Sequence, residues 1–196
     1  MVKRIQGHGR GYAFSAKDFL DLGKRGAVDV ALGRLVVAGK IRHVARGLYD
    51  YPQQAKLLGG LLAPDVDQVA QAIARKTGTQ IHPSGAWSAN MLGLSDQVPA
   101  KVVYLTNGRT RSVRLGSQTI YFRHTHPKHL RDDPQTSLAI QAIRFLGKAA
   151  IGDKEVRRLR RVLSASDRLQ FLKRARYNTG WVADIARKVA EGASDG

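Results

Sequence analysis

The sequence predicts an α+β protein, with an N-terminal winged helix-turn-helix followed by a mixed α/β domain and a C-terminal helical part. Three observations predict it. Residues 15–52 run through a capped helical start, a glycine stop, an amphipathic helix, a second glycine stop and two short strand-like runs. Residues 101–122 change to strand-like runs punctuated by Asn107-Gly108 and Gly116-Ser117. Beyond Pro134 the apolar residues recur at helical spacing almost to the end of the chain. The expected boundary follows Pro52. It gives a DNA-binding domain at residues 1–52 and a C-terminal domain at residues 53–196, whose α+β core covers about 53–133 and whose helices cover about 134–190.

In the first domain, Ser15 stands before Ala16, Lys17 and Asp18. Its hydroxyl is set to cap a first turn, and Asp18 adds negative charge at the positive end of that helix. This helix, through Phe19, Leu20 and Leu22, is expected to stop at Gly23. A second is expected over residues 25–38, ending at Gly39, with Val28, Ala31, Leu32, Leu35 and Val36 on one side. Residues 41–46 and 48–51 read as a basic hairpin turning at Gly47 and ending at Pro52. Residues 2–6 are expected as a short helix, and residues 12–14 as the small strand that completes the sheet.

The side chains of this module suit nucleic acid. Lys24 and Arg25 open the second helix, where amides and cations face an approaching phosphate or guanine edge. Arg34 lies further along it. Arg42 and His43 load the hairpin, and Arg46 beside Gly47 is suited to a minor groove. Lys3, Arg4 and Arg10 are expected to position phosphates rather than read bases. The glycines of residues 7–11 lack a following Gly-Lys-Ser or Gly-Lys-Thr, so they do not read as a nucleotide loop. Opposite the apolar stripe lie Gly26, Val30, Gly33 and Val37, flanked by Asp29 and Arg34. Either these small residues allow close approach to DNA, with Val30 meeting a thymine methyl, or that face packs on the rest of the protein.

Residues 53–62, with Gly59 and Gly60, read as a buried join between domains. Pro64 and Asp65 open a helix through Val69, Ile73 and Ala74 that closes near Gly78. Residues 80–82 read as a strand. Pro83 and Ser84 open a short helix ending at Gly93, whose Trp87 and Met91 have the spacing of a core face. Asn107-Gly108, the strongest short hairpin signal, is expected to join residues 101–106 to residues 109–115, and Gly116-Ser117 to lead on to residues 118–122. Arg109, Arg111 and Arg114 crowd the middle strand. They suit phosphates, but the preferred reading is an exposed strand that charge protects from edge pairing.

Residues 134–147, 153–163 and the stretch opened by Ser164 and Asp167 follow as helices. Residues 178–180 break the chain, Trp181, Ile185 and Val189 share a face of the last helix, and residues 190–196 are expected to fray. Arg157, Arg158, Arg160 and Arg161 surround Leu159. Such density fits a solvated face or a partner-binding surface equally.

The chain carries 33 basic and 15 acidic residues, a formal net charge of +18. The excess is +6 over residues 1–52, +5 over 53–133 and +7 over 134–196, so it is not confined to a tail. Such a protein is drawn to polyanions. No cysteine is present, which excludes disulfides, thiolate catalysis and cysteine zinc sites. No apolar run approaches a membrane span, and the N-terminus lacks the apolar core of a signal peptide, so the expected location is the cytoplasm.

A series of short motifs runs through the chain in order: Ala27-Val28, Ala31-Leu32, Arg34-Leu35, Gly39-Lys40-Ile41, Arg46-Gly47-Leu48-Tyr49 and Pro52. It continues with Pro83-Ser84-Gly85, Ala89-Asn90, Leu92-Gly93-Leu94-Ser95, Val98-Pro99 and Val103-Tyr104-Leu105-Thr106. In these the chain resembles the AbiEi antitoxin family of type IV toxin–antitoxin systems, over about residues 4–125. The C-terminal part shares with that family only its basic, helical character. The resemblance implies an N-terminal winged helix that represses its own operon at inverted repeats in double-stranded DNA. It also implies a C-terminal domain that counters a nucleotidyltransferase-like toxin, directly or indirectly.

The expectation is therefore a DNA-binding antitoxin and transcriptional repressor, not an enzyme, with no catalytic residue, cofactor, metal or membrane partner. The four arginines around Leu159 are its candidate partner surface. Two alternatives come from other classes. His124, His126 and His129, followed by Asp132 and Asp133, have a spacing that suits a metal-dependent nuclease, although Pro127 interrupts them. A non-catalytic adaptor would use the basic helices to hold an acidic protein. The toxin itself is excluded by order: Asp65-Val66-Asp67 precedes Gly116-Ser117, whereas a nucleotidyltransferase cradle needs the Gly-Ser turn first.

Overall fold

Capped helices alternating with short strands give a mixed α+β chain, and the computed structural model describes residues 1–55, 59–97, 99, 101–126, 130 and 133–191 of it. The chain divides into two compact units, Met1–Ile81 with Arg111–Tyr121, and His82–Thr110 with Phe122–Gly196. No helix among the described residues is long and apolar enough to cross a membrane.

The first unit begins with α1 (Val2–Gly7), β1 (Ala13–Phe14) and a 3-10 turn (Ala16–Phe19). There follow α2 (Arg25–Val37), β2 (Arg42–Ala45), β3 (Leu48–Asp50) and α3 (Val66–Thr77). Its sheet has the order β1-β3-β2, antiparallel throughout, with Phe14 opposite Tyr49, and Asp50 opposite both Ala13 and Arg42. Ile5, Phe14, Phe19, Val28, Leu32 and Ile41 form the core, so the apolar stripe of α2 points inward at Val28 and Leu32. The β2–β3 turn needs a glycine for its left-handed backbone, and the Lys76 ammonium uses the space that glycine leaves. Gly47 has φ +66°, and a Cβ there would lie 2.8 Å from the Lys76 Nζ.

Beyond α3 come β4 (Ile81–Pro83), α4 (Gly85–Met91), β5 (Val102–Thr106), β6 (Arg111–Leu115) and β7 (Gln118–His124). These strands form a sheet in the order β4-β5-β7-β6. Then α5 (Pro134–Leu146), α6 (Asp153–Val162), α7 (Ala165–Ala175) and α8 (Gly180–Ala190) follow, all in the second unit, whereas β6 belongs to the first. The inward residues of these helices, Leu138, Ile143, Leu159, Phe171, Val182 and Val189 among them, make the core of the second unit with Ala89 of α4 and Leu92 just beyond it. Gly85 lets α4 close on α5, since a Cβ there would meet the Phe145 Cβ at 2.5 Å.

Four expectations change. The Asn107-Gly108 hairpin does not form: β7 lies beside β5, with the Thr125 amide donating to the Thr106 carbonyl at 2.8 Å, and β6 stands at the sheet edge. A two-residue type I′ turn needs left-handed backbone at both central residues, and neither Asn107 nor Gly108 adopts it. Instead the Thr106 hydroxyl accepts from the Gly108 amide at 3.0 Å, and the Gly108 carbonyl meets the His124 Nδ1 at 2.8 Å. The helix expected to reach Leu22 is only a 3-10 turn. Phe19 is buried while Leu20 and Leu22 are 42% and 48% exposed, so no continuous apolar face supports further turns.

The join after Pro52 is largely exposed rather than buried in its described part. It folds back on itself, the Leu62 amide donating to the Gln53 carbonyl at 2.8 Å and the Ala55 amide to the Gly60 carbonyl at 3.0 Å. Where the sequence suggests a boundary after Pro52, the first compact unit runs on to Ile81. Val69, Ala70 and Ile73 of α3 are buried, and Arg75 ties the helix down by donating to Asp18 Oδ1 at 3.0 Å and to the Ala13 carbonyl at 2.7 Å. The expected fraying beyond residue 191, His129, Asp132 and Val98 lie outside the described residues.

Candidate nucleic-acid interface

Three of the cations expected at a nucleic-acid surface are engaged within the first unit. Arg42 faces Asp50 across the β2–β3 ladder, with Nε to Oδ1 at 3.0 Å and Nη2 to Oδ2 at 2.6 Å, and its Nη1 donates to the Leu62 carbonyl at 3.0 Å. Asp50 is only 1% exposed, so this guanidinium neutralises a buried carboxylate. Arg4 forms a two-pronged pair with Asp21 at 2.8 and 2.6 Å and donates to the Asp18 carbonyl at 3.1 Å. The Arg4–Asp21 hydrogen bond, before any other cause, holds the Asp21 carboxyl below its ordinary range and raises Arg4 above its own. Arg10 donates to the Pro52 carbonyl at 2.8 Å and lies over the Tyr51 ring at 4.9 Å.

The others keep their heads outward. Lys3, Lys24, Arg34 and Arg46 are exposed, and so is His43, whose ring meets Tyr49 edge-on at 5.4 Å. Arg25 is exposed and pairs with Asp29 one turn on, at 2.8 Å. A solvated pair of this kind is worth about 0.3–0.5 kcal/mol, so a phosphate can displace it. The outer face of α2 is uncovered, with Val30 56% and Val37 91% exposed and Gly26 and Gly33 beside them. Among the described residues of the first unit, nothing packs on this face.

Folding also gathers cations that are scattered in the sequence. Lys76, at the end of α3, reaches over the hairpin turn and donates to the carbonyls of Arg46 at 3.0 Å and Gly47 at 3.4 Å. Arg111 and Arg114 of the edge strand β6 approach the same place, and with Arg46 and Lys76 they line a cavity of about 400 Å³. Partial burial, then Arg25, Arg111 and Arg46 in turn, push the Lys76 ammonium below its ordinary range. Lys76 carried no signal in the sequence beyond a basic residue near a helix C-terminus, a position common for dipole reasons alone.

In the second unit the four arginines around Leu159 separate. Arg157, Arg158 and Arg161 line a cavity of about 270 Å³ with Lys154, Asp96 and Glu155. Arg158 Nε donates to the Leu92 carbonyl at 2.9 Å. Arg160 turns to the end of α8, donating from Nε to the Lys188 carbonyl at 3.0 Å and from Nη2 to Glu191 at 3.2 Å. Near the expected histidine cluster, the His124 amide donates to the Thr110 hydroxyl at 3.0 Å, and its Nδ1 is held at the Gly108 carbonyl.

A family model matches residues 1–171, which is most of the chain. The chain belongs to DUF6088. That family is one of unknown function, so membership carries no activity with it. Among curated proteins and among solved structures, nothing matches.

Proposed function

We propose that this DUF6088 chain is a DNA-binding regulator of the antitoxin type, acting without catalysis in the cytoplasm. In this reading the first unit is a winged helix-turn-helix. The 3-10 turn and α2 are its two helices, the β2–β3 hairpin is its wing and β1 completes the sheet. The observation that carries the reading is the convergence of Arg46 at the hairpin turn, Lys76, Arg111 and Arg114 on one cavity wall, with Arg25 exposed at the start of α2. Exposed Lys24 and Arg34 extend the same chemistry along α2. Arg4 and Arg42 have structural roles in it, and the small outer face of α2 permits close approach to base edges.

The antitoxin part rests on the motif resemblance to the AbiEi family. Repression at inverted repeats and the countering of a nucleotidyltransferase-like toxin come from that resemblance. The second unit is assigned to the toxin side, through Arg157 and Arg161, which are exposed. The adaptor alternative draws on the same two residues, since the mixed-charge cavity beside α6 also suits an acidic protein.

The test is fluorescence anisotropy with the chain's own upstream DNA and a scrambled duplex of equal length. Replacing Arg25 and Arg46 together by alanine is expected to remove the preference for the upstream duplex, at about 1–3 kcal/mol for each base-reading side chain. An unchanged preference would sink the module as the reader. Co-expression with an adjacent nucleotidyltransferase-like reading frame provides the second arm. Loss of growth rescue in an Arg157→Gln/Arg161→Gln variant, with operator preference intact, is the expected result there.

A further inference from the structure

Cations repel one another, and a fold that gathers several around one hollow needs something that accepts them. The cavity between the β2–β3 turn, the end of α3 and β6 has Arg46, Lys76, Arg111 and Arg114 in its wall. No carboxylate is among the described residues that line it. Lys76 donates to two backbone carbonyls, Arg114 Nε donates to the Gly116 carbonyl of its own turn at 3.2 Å, and Arg111 Nη2 donates to the Thr77 hydroxyl at 3.3 Å. The glycine at 47 leaves the Lys76 ammonium room to lie across the turn.

We propose that this cavity is a binding site for a phosphate-bearing anion of at least two negative charges. Guanidinium forks match phosphate oxygens in pairs, while a lysine adds a point charge. The hollow, at about 400 Å³, is larger than a lone phosphate needs, and Leu48 and Ile73 give it an apolar side. It has room for a phosphate together with its sugar, or for two linked phosphates. The two sources of such a group are the backbone of a nucleic acid and a free nucleotide. The inference rests on the DNA-binding reading only for the first source. Its residues are not those of the AbiEi likeness, except Arg46 and Leu48. The lowering of the Lys76 pKa by burial and by the neighbouring arginines agrees with a site that an anion would relieve.

The experiment uses the full chain and two probes, inorganic pyrophosphate by calorimetry and a 20-base-pair duplex titrated at several salt concentrations. The variants are Arg114→Gln, whose hydrogen bond lies within its own turn, and Arg111→Gln/Arg114→Gln, each checked by its melting curve. The unaltered protein is expected to bind pyrophosphate one to one, and the double variant at least tenfold more weakly. For the duplex, the salt slope is expected to fall by about 0.9 for each phosphate that the variant no longer neutralises. A reduced slope without pyrophosphate binding assigns the site to backbone phosphate, and pyrophosphate binding abolished with an unchanged slope assigns it to a free anion; both support the site. Unaltered pyrophosphate titration and unaltered slope in the double variant overturn it. If the unaltered protein binds no duplex, the DNA reading falls while the pyrophosphate arm still decides the cavity.

Discussion

The two units each carry a concentration of positive charge, and they use it in opposite ways. At the hairpin turn of the first unit, Arg46, Lys76, Arg111 and Arg114 face a hollow with no carboxylate in its described wall. Beside α6 of the second, the cations share their hollow with Asp96 and Glu155. There Arg158 and Arg160 are spent on backbone carbonyls at the ends of other helices. The sequence counts favour the second region, where four arginines fall within five residues. The geometry favours the first. On the proposed reading, positive charge becomes binding capacity where folding sets no carboxylate beside it in the same wall.

The largest effect that tests this contrast lies within one hairpin. Arg42→Ala strands the buried Asp50 carboxylate and is expected to cost about 3–5 kcal/mol of stability, read as a large drop in urea midpoint. Arg46→Ala, at an exposed side chain beside the turn, is expected to change stability by under about 0.5 kcal/mol. Equal effects would erase the line between structural and available cations. The next contrast is inside α6. Arg158→Ala leaves the Leu92 carbonyl without its guanidinium donor and should cost about 1–3 kcal/mol, whereas Arg157→Ala should be close to neutral in the same unfolding experiment.

The smallest effect is a pH dependence. Burial first, then the neighbouring arginines, hold Lys76 below its ordinary value of 10.5 in the free protein. An anion in the cavity raises it again. Pyrophosphate affinity should therefore be full below the free-state pKa and should fall as pH rises through the window between the free and bound values. Stability runs the other way: the unfolded lysine binds its proton more tightly, so the penalty at Lys76 is relieved as pH rises from the folded value towards 10.5. Lys76→Gln should flatten the calorimetric profile, because the arginines do not titrate there. A profile unchanged by that substitution would remove Lys76 from the site.

Much of the fold is legible where local chemistry and burial agree. The α2 stripe of Val28 and Leu32, the stop at Gly39, the turn at Gly47 and the capped starts of α3 and α7 each have a local cause, and each is present. What is not legible depends on partners distant in sequence. Asn107-Gly108 carries a local turn signal, but β5 takes β7 as its neighbour. Arg42 and Arg46 look alike in a basic hairpin, and only the register placing Arg42 opposite Asp50 separates them. Lys76 and Arg111 are 35 positions apart and enter one cavity wall because β6 counts with the first unit.

That last arrangement also has a meaning for the order of synthesis. The first unit is interrupted: its wall strand, within Arg111–Tyr121, is made only after residues 82–110 have been added. At about 5–20 residues per second, a ribosome that has finished residue 81 needs roughly 2–8 s more to deliver residue 121. During that interval the hairpin and α3 exist without Arg111 and Arg114. The nascent N-terminal segment thus carries α2 and the hairpin before it owns the whole of its cationic hollow, whose wall is finished from the middle of the chain.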